Sequence, residues 1–278
     1  MTALPKERAR MAGDQKGASG VSVEVRGGQI SFGQNVVLSN LDMSVEEGEF
    51  VCLLGPSGCG KSTLLSAMAG FEELSAGEIY SGGDLVQGNN RHAGKVFQSS
   101  SALFGWMTAA ENVAYGPKMN GASKAEQREI AATYLRMVGL ARAGDKYPSQ
   151  LSGGMQQRVQ IARVLANQPR LVLMDEPFGA LDAQTREVMQ TELSGIWERT
   201  GCTVVFVTHD IDEAIILADR ILVMSAGPEA KIKSVYKVPS DRPRVRGTLT
   251  ELYNSLHDDI SVEVAAALRA QGVEEVSA

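Results

Sequence analysis

The chain of 278 residues is long enough for one large domain with appendages, and its 44% hydrophobic and 22% charged residues form an ordinary globular mixture that needs no disulfide or metal staple. A formal net charge of −6 speaks against a nucleic-acid binder, which carries a basic balance, and the three cysteines (Cys52, Cys59, Cys202) form no CxxC pair and fit a reducing cytoplasm. No run approaches the ~18 apolar residues of a membrane-spanning helix, so any work at a membrane requires docking onto another chain.

Residues 1–20 contain basic residues but no apolar stretch, and read as a flexible tail, not a secretory signal. Val21–Arg26 alternates apolar and polar residues, as a half-buried strand does. Phe50–Leu54 is a continuous apolar run that suits a buried strand. It leads into Gly55-Pro56-Ser57-Gly58-Cys59-Gly60-Lys61-Ser62, the pattern G-x-x-x-x-G-K-[ST], after which Lys61–Ala69 reads as a helix closed by Gly70. This strand–loop–helix setting is what a phosphate cradle requires. Glycines let the backbone turn its N–H groups inward, and the helix N-terminus adds about half a positive charge. Lys61 is placed to reach β- and γ-phosphates, and Ser62 to ligate Mg2+. Cys59 is expected to be a spacer within the loop. The motif implies a nucleotide, but kinases, GTPases, helicases and transporters all carry it.

Lys95–Phe97 reads as a further strand, followed by Gln98. From about Ser99 to Ala166 the pattern turns helical. Ser123–Val138 has helical periodicity, with Ser123 and Glu126 at capping-box spacing, and Ser152–Ala166 opens on an N-cap serine. Leu171–Met174 and Thr203–Val207 return to short apolar strands, with Gln184–Arg199 as a helix between them. Strand–helix alternation implies a parallel sheet with helices on its faces. The Leu171 strand ends in two acids. Asp175 is placed to hold Mg2+, and Glu176 to polarise a water that attacks the γ-phosphate; a capping acid for the next helix is the alternative for Glu176. Neighbours on a strand point to opposite sides, so the two acids are not expected to share a role. Beyond Val223 the pattern weakens. Pro239–Arg246 reads as a solvated linker holding Arg242, Arg244 and Arg246, and Glu251–Ala270 as one or two short helices. Glu187, Glu192 and Glu198 are expected on a solvated helix face, the methionines at 68, 137, 174 and 224 in the core, and Cys202 buried.

Leu151-Ser-Gly-Gly-Met155-Gln-Gln-Arg158, 20 residues ahead of the Leu171 strand, resembles the signature sequence of ABC-type ATPases. With the phosphate loop upstream and the acid pair downstream, the chain from Val21 to Val238 is identified as resembling that family. The resemblance implies an α/β fold: a P-loop NTPase core with an N-terminal antiparallel β-subdomain and an inserted α-helical subdomain at about 99–166, followed by a linker and short helical tail at 239–278. It implies an ATPase that uses ATP and Mg2+. Phe32 would stack on adenine. Gly55, Pro56, Ser57, Gly58, Cys59, Gly60, Lys61, Ser62 and Thr63 would hold the phosphates, and Ser62, Gln98 and Asp175 the metal. Gln98, Lys61, Glu176 and His209 would serve hydrolysis, Gln98 as the Q-loop glutamine and His209 as the switch histidine. Asp182, in Phe178-Gly-Ala-Leu-Asp182, would belong to the D-loop.

In that family two copies face head to tail, so Ser152, Gly153 and Gly154 of one chain would bind the γ-phosphate held by the other. The run LMDEPFGALDAQTRE with THDIDEAIILADRILVMS resembles bacterial importers, and most closely the nitrate, sulfonate and taurine group. The short tail containing PSDRPRVR, with no large C-terminal β-domain, fits that group and not the sugar importers. The implied partners are a second copy of the subunit, transmembrane permease subunits and, indirectly, a solute-binding protein; no nucleic acid is implied. The implied place is the cytoplasmic face of the plasma membrane. One departure stands out: after Gln98 the chain reads Ser-Ser-Ser-Ala-Leu-Phe-Gly-Trp106, with Gly105 where the group tends to have proline, so this loop is expected to be more mobile. Phe104 and Trp106 are candidates for contact with the permease, with packing inside the helical insertion as the alternative. A soluble ATPase uncoupled from transport is the rival function, and a regulatory subunit that binds nucleotide without hydrolysing it is a second.

Overall fold

The first strand runs further than its alternation suggests, because a pair of glycines is absorbed as a bulge. In the computed structural model, which describes residues 20–98, 102–239, 241–245, 247 and 249–270, β1 spans Val23–Phe32 and pairs antiparallel with β2 (Asn35–Val45). The register shifts between Val25 and Gly28, where Gly27 takes φ 54°. With β4 (Ala76–Ser81) and β5 (Asp84–Leu85) these strands form a four-stranded sheet of order β2-β1-β4-β5.

β3 (Phe50–Leu54) begins the second sheet and is buried at all five positions. It is followed by helix α1 (Lys61–Met68). The other members are β6 (Ala93–Val96), β7 (Leu171–Asp175), β8 (Thr203–Val207), β9 (Arg220–Met224) and β10 (Ile232–Lys237). The order is β10-β9-β3-β8-β7-β6, parallel throughout except for the antiparallel β9–β10 edge. Strand alternation divides the core in two: Phe50, Cys52 and Leu54 join one apolar cluster, and Val51 and Leu53 the other. The parallel strands need apolar cover on both faces, which is why β3, β7 and β8 carry no polar face.

Between β6 and β7 lie α2 (Ala109–Met119), α3 (Lys124–Met137) and α4 (Gly153–Leu165). The capping box at Ser123 and Glu126 forms as expected, and a second one forms at Thr108 and Glu111. The Ser152 hydroxyl accepts from the Met155 amide at 3.3 Å and caps α4. Helices α5 (Ala183–Thr200) and α6 (Ile211–Leu217) follow β7 and β8.

Two expectations for the tail are corrected. The segment after residue 249 takes the one-helix alternative, but α7 (Thr250–Ala270) runs for 21 residues and is not short. Leu256 is fully buried, and Asp259 and Glu263 hold Lys233 of β10 at 3.5 and 2.9 Å. Arg242 and Arg244 are not a solvated linker. Arg242 lies over the Trp197 ring at 4.1 Å and pairs with Asp219 at 2.6 Å, while Arg244 donates to the carbonyls of Ile215 and Ala218 at 3.2 and 2.6 Å. The last carbonyls of α6 lack partners within the helix, and the two guanidinium groups supply donors. Arg246 and the tail at 1–19 lie outside the described residues.

Candidate functional site

The loop Gly55–Gly60 joins β3 to α1 and curls around its own lysine. The Lys61 ammonium donates to the carbonyls of Gly55 and Pro56, both at 2.8 Å, and lies 3.7 Å from the Cys59 sulfur. Gly60 holds the N-cap of α1 at φ 94°, and a Cβ there would come within 2.7 Å of Leu38. Only glycine fits that position. Ser57 and Gly58 are exposed at the loop tip, and Thr63 is half-buried on the first turn of α1. Cys59 is buried, and burial pushes its thiol up, which keeps it protonated.

Ser62 donates its hydroxyl to Asp175 at 2.9 Å, which brings the loop and the end of β7 together. Burial raises the Asp175 carboxyl above its ordinary range, against the opposing pull of the Ser62 hydrogen bond and of Lys95. Lys95 was not singled out from sequence. Its ammonium donates to Ser66 at 2.6 Å, and Ser66 in turn donates to the Ser62 carbonyl at 2.8 Å.

Glu176 lies beyond the strand, so alternation is not what separates it from Asp175. It takes φ 45°, a left-handed conformation that costs a side-chain-bearing residue roughly 1–3 kcal/mol. Its amide donates to Val207 at 3.0 Å, and its carbonyl accepts from Gly179 at 3.2 Å. The turn directs the carboxylate to a meeting point: one oxygen accepts from the Gln98 side-chain amide at 3.2 Å and lies 3.4 Å from His209 Nδ1. Gln98, Glu176 and His209 come from three separate strand ends and converge there, with the His209 side chain 70% exposed.

The stretch around His209 is braced by residues the sequence reading passed over. Thr208 donates to Glu213 at 2.7 Å, and Asp210 caps α6. Arg186 pairs with Asp210 and Glu213 at 3.3 and 3.5 Å and donates to the Leu181 carbonyl at 3.3 Å. Asp182, next to Leu181, accepts from the Thr185 amide at 3.0 Å, and that bond holds its carboxyl below the ordinary range. The cap spacing Asp210–Glu213 was visible in the sequence; the bridge from Arg186 was not.

Phe32 ends β1 with half its surface exposed. Ser152 and Gly153 are exposed at the start of α4, and among the described residues the hydrogen bonds of Ser152 and Gly154 stay within that helix. The two aromatic candidates separate. Phe104 packs against Tyr115 with ring centroids at 4.7 Å, whereas Trp106 is 74% exposed. Phe104, whose ring lies 5.4 Å from that of Trp106, borders a groove of about 580 Å³ lined also by Arg91, Lys95, Tyr115, Met119 and Arg163. The turn through Gly105 is bonded to α2 through one side chain. The Asn112 side chain, fully buried, accepts from the Phe104 amide at 2.9 Å and donates to the carbonyls of Phe104, Met107 and Thr108 at 3.1, 3.1 and 3.0 Å.

Ser62 and Asp175 offer hard oxygen donors in contact, the chemistry that suits Mg2+. Among the described residues no group of three or more His, Cys, Asp or Glu is placed to hold a metal ion by itself.

Residues 38–179 match the family model described as "ABC transporter". The chain is 46% identical over 221 residues to the nitrate import ATP-binding protein of Synechococcus elongatus, covering 79% of this chain and 80% of that protein. It is 45% identical over 246 residues to the bicarbonate transport ATP-binding protein of a Synechocystis species, covering 82% and 87%. Among solved structures, an ATP-binding cassette captured as a dimer in a post-hydrolysis state with ADP and Pi superposes with a TM-score of 0.71 at 34% identity, covering 79% of this chain and all of that one.

Proposed function

The chain belongs to the ABC transporter family as an ATP-binding, ATP-hydrolysing subunit of an importer, and from that premise we propose that it drives uptake of a small oxyanion such as nitrate or bicarbonate, with Glu176 as the general base. The observation that carries the assignment of the site is the convergence of Gln98 and His209 on one oxygen of Glu176, beside the contact of Ser62 with Asp175.

The phosphate loop and the N-terminus of α1 hold the ATP phosphates, with Lys61 exchanging its bonds to Gly55 and Pro56 for bonds to the β- and γ-phosphates. Phe32 stacks on the adenine through its exposed face. Ser62, Asp175 and Gln98 are the residues that would hold Mg2+, which would neutralise charge on the phosphates when bound. Glu176 takes the proton of the attacking water, and Gln98 and His209 orient that water and the γ-phosphate. The exposed Ser152–Gly154 turn completes the site of a second copy, since a helix N-terminus with free amides suits a γ-phosphate. ATP favours the closed pair and ADP does not, and that difference in binding moves the permease.

The domain spans 21–238, with 99–166 as its helical insertion and 239–278 as an appended tail. No helix among the described residues is long and apolar enough to cross a membrane. Trp106 and the groove beside Phe104 face the permease on the cytoplasmic side. A solute-binding protein delivers the anion to the permease. The test is hydrolysis by the assembled transporter: Glu176→Gln is expected to bind ATP and release no phosphate, and full turnover in that variant overturns the base. Nitrate and bicarbonate uptake in a deletion strain tests the solute, and purification without any permease favours the uncoupled ATPase.

A further inference from the structure

The segment that carries Gln98 is gripped on both sides by a single face of α4. The Gln160 side-chain oxygen accepts from the Phe97 amide at 2.7 Å, and the Gln157 side-chain amide donates to the Phe97 carbonyl at 3.2 Å. Both polar groups of the residue preceding Gln98 are therefore held by two side chains one helical turn apart. On the far side, Arg163 donates to the Ala102 carbonyl at 2.9 Å. Positions 157, 160 and 163 repeat at the spacing that puts side chains on one face.

These glutamines are buried: Gln157 is 1% exposed and Gln160 fully buried. Burial of an amide is unfavourable unless each polar atom is paired. Gln157 Oε1 has no hydrogen-bond partner, so a methionine of the same length would relieve an orphaned acceptor. What Gln157 supplies is a donor aimed at the Phe97 carbonyl.

We propose that Gln157, Gln160 and Arg163 are positioning residues for hydrolysis, fixing the Gln98 segment to the helix that opens at Ser152–Gly154. The proposal rests on the role assigned above to Gln98. Its consequence is a rigid link between two half-sites. In the paired arrangement proposed above, the N-terminus of α4 meets the nucleotide of the partner copy, while Gln98 touches Glu176 of its own chain. Engagement of α4 at one nucleotide thereby shifts Gln98 at the other.

The experiment compares Gln160→Met, Gln160→Glu, Gln157→Met and Gln98→Ala in the assembled transporter. Gln160→Met removes the acceptor together with the side-chain NH2 at constant length, and Gln160→Glu keeps an acceptor. The expected result is a kcat lowered about tenfold in Gln160→Met with KM for ATP within about twofold of the parent, and recovery toward the parent in Gln160→Glu, because a small misplacement of a positioned group costs rate and not ground-state binding. Gln157→Met gives the same kcat pattern and covers the case in which Gln160→Met fails to fold. Hydrogen exchange at the Phe97 amide reads the grip without reference to activity, and is expected to speed up in Gln160→Met. Parent kcat in both methionine variants while Gln98→Ala is impaired overturns the positioning role. Unchanged Phe97 exchange in Gln160→Met overturns the grip itself. Full activity in Gln98→Ala removes the role of Gln98, and the proposal with it, which separates that failure from the other two.

Discussion

Replacing Asn112 by alanine should unfasten the Phe104–Trp106 turn without touching the nucleotide site. The side chain makes four hydrogen bonds to backbone groups of residues 104, 107 and 108. The three carbonyls have second lone pairs and the Thr108 carbonyl already accepts from the Asn112 amide, so the Phe104 N–H is the group left without a partner. An orphaned donor of this kind costs about 1–3 kcal/mol. Alanine's higher helix propensity offsets about 0.5 kcal/mol of that at a position inside α2. A net loss of about 1.5 kcal/mol corresponds to a Tm lowered by about 3–6 °C in a domain of this size. Differential scanning calorimetry of the purified subunit measures it. The functional half of the prediction is that the free subunit keeps its ATP hydrolysis while co-purification with the permease falls, because the turn presents Trp106. An unchanged Tm refutes the accounting, and equal loss of hydrolysis and permease binding refutes the assignment of this turn to the permease contact.

Phe32→Ala should weaken ATP binding about 5- to 150-fold in equilibrium titration, since a base stacked on an aromatic ring is worth about 1–3 kcal/mol; the purified subunit binding ATP as the parent does would remove adenine stacking from this residue. Gly60→Ala should abolish nucleotide binding, because its Cβ would lie 2.7 Å from Leu38 at φ 94°, and retained binding would show that the loop tolerates another path. The Asp259 carboxyl is held below its ordinary value of 3.8 by hydroxyls of Ser234 and Tyr236, with Lys233 adding to them. A lowered folded value means its contribution to docking α7 is present above pH 3.8 and is lost as pH falls through the lowered value, so acid unfolding of Asp259→Asn should be flatter in that window than that of the parent.

Local chemistry made most of the fold legible. Phe50–Leu54, Leu171–Met174 and Thr203–Val207 announce buried strands because parallel strands have no wet face, and Ser123 and Ser152 mark helix starts by side chains that satisfy nearby amides. The phosphate loop was legible for the same reason: its glycines and lysine act on neighbours in sequence. What stayed hidden are partners far apart along the chain. Arg186 with Glu213, Arg244 with the end of α6, and Gln160 with Phe97 are contacts that a composition or period cannot encode. The arginines of the tail read as solvated because Pro and Arg in sequence look like a linker; only the fold shows that unpaired carbonyls of α6 await them. Glu176 was found by its place beside Asp175, yet its left-handed backbone was invisible, since nothing in the side chain demands it.

That backbone sets heat resistance against turnover at one position. A glycine at 176 would adopt φ 45° freely and an asparagine more easily than glutamate, so either is expected to raise the melting temperature while removing the proposed base. A library screened for thermal survival alone should therefore enrich exactly the substitutions that stop the motor. Such survivors would still load ATP and clamp shut, and would fail only at reopening, as transporters arrested mid-cycle.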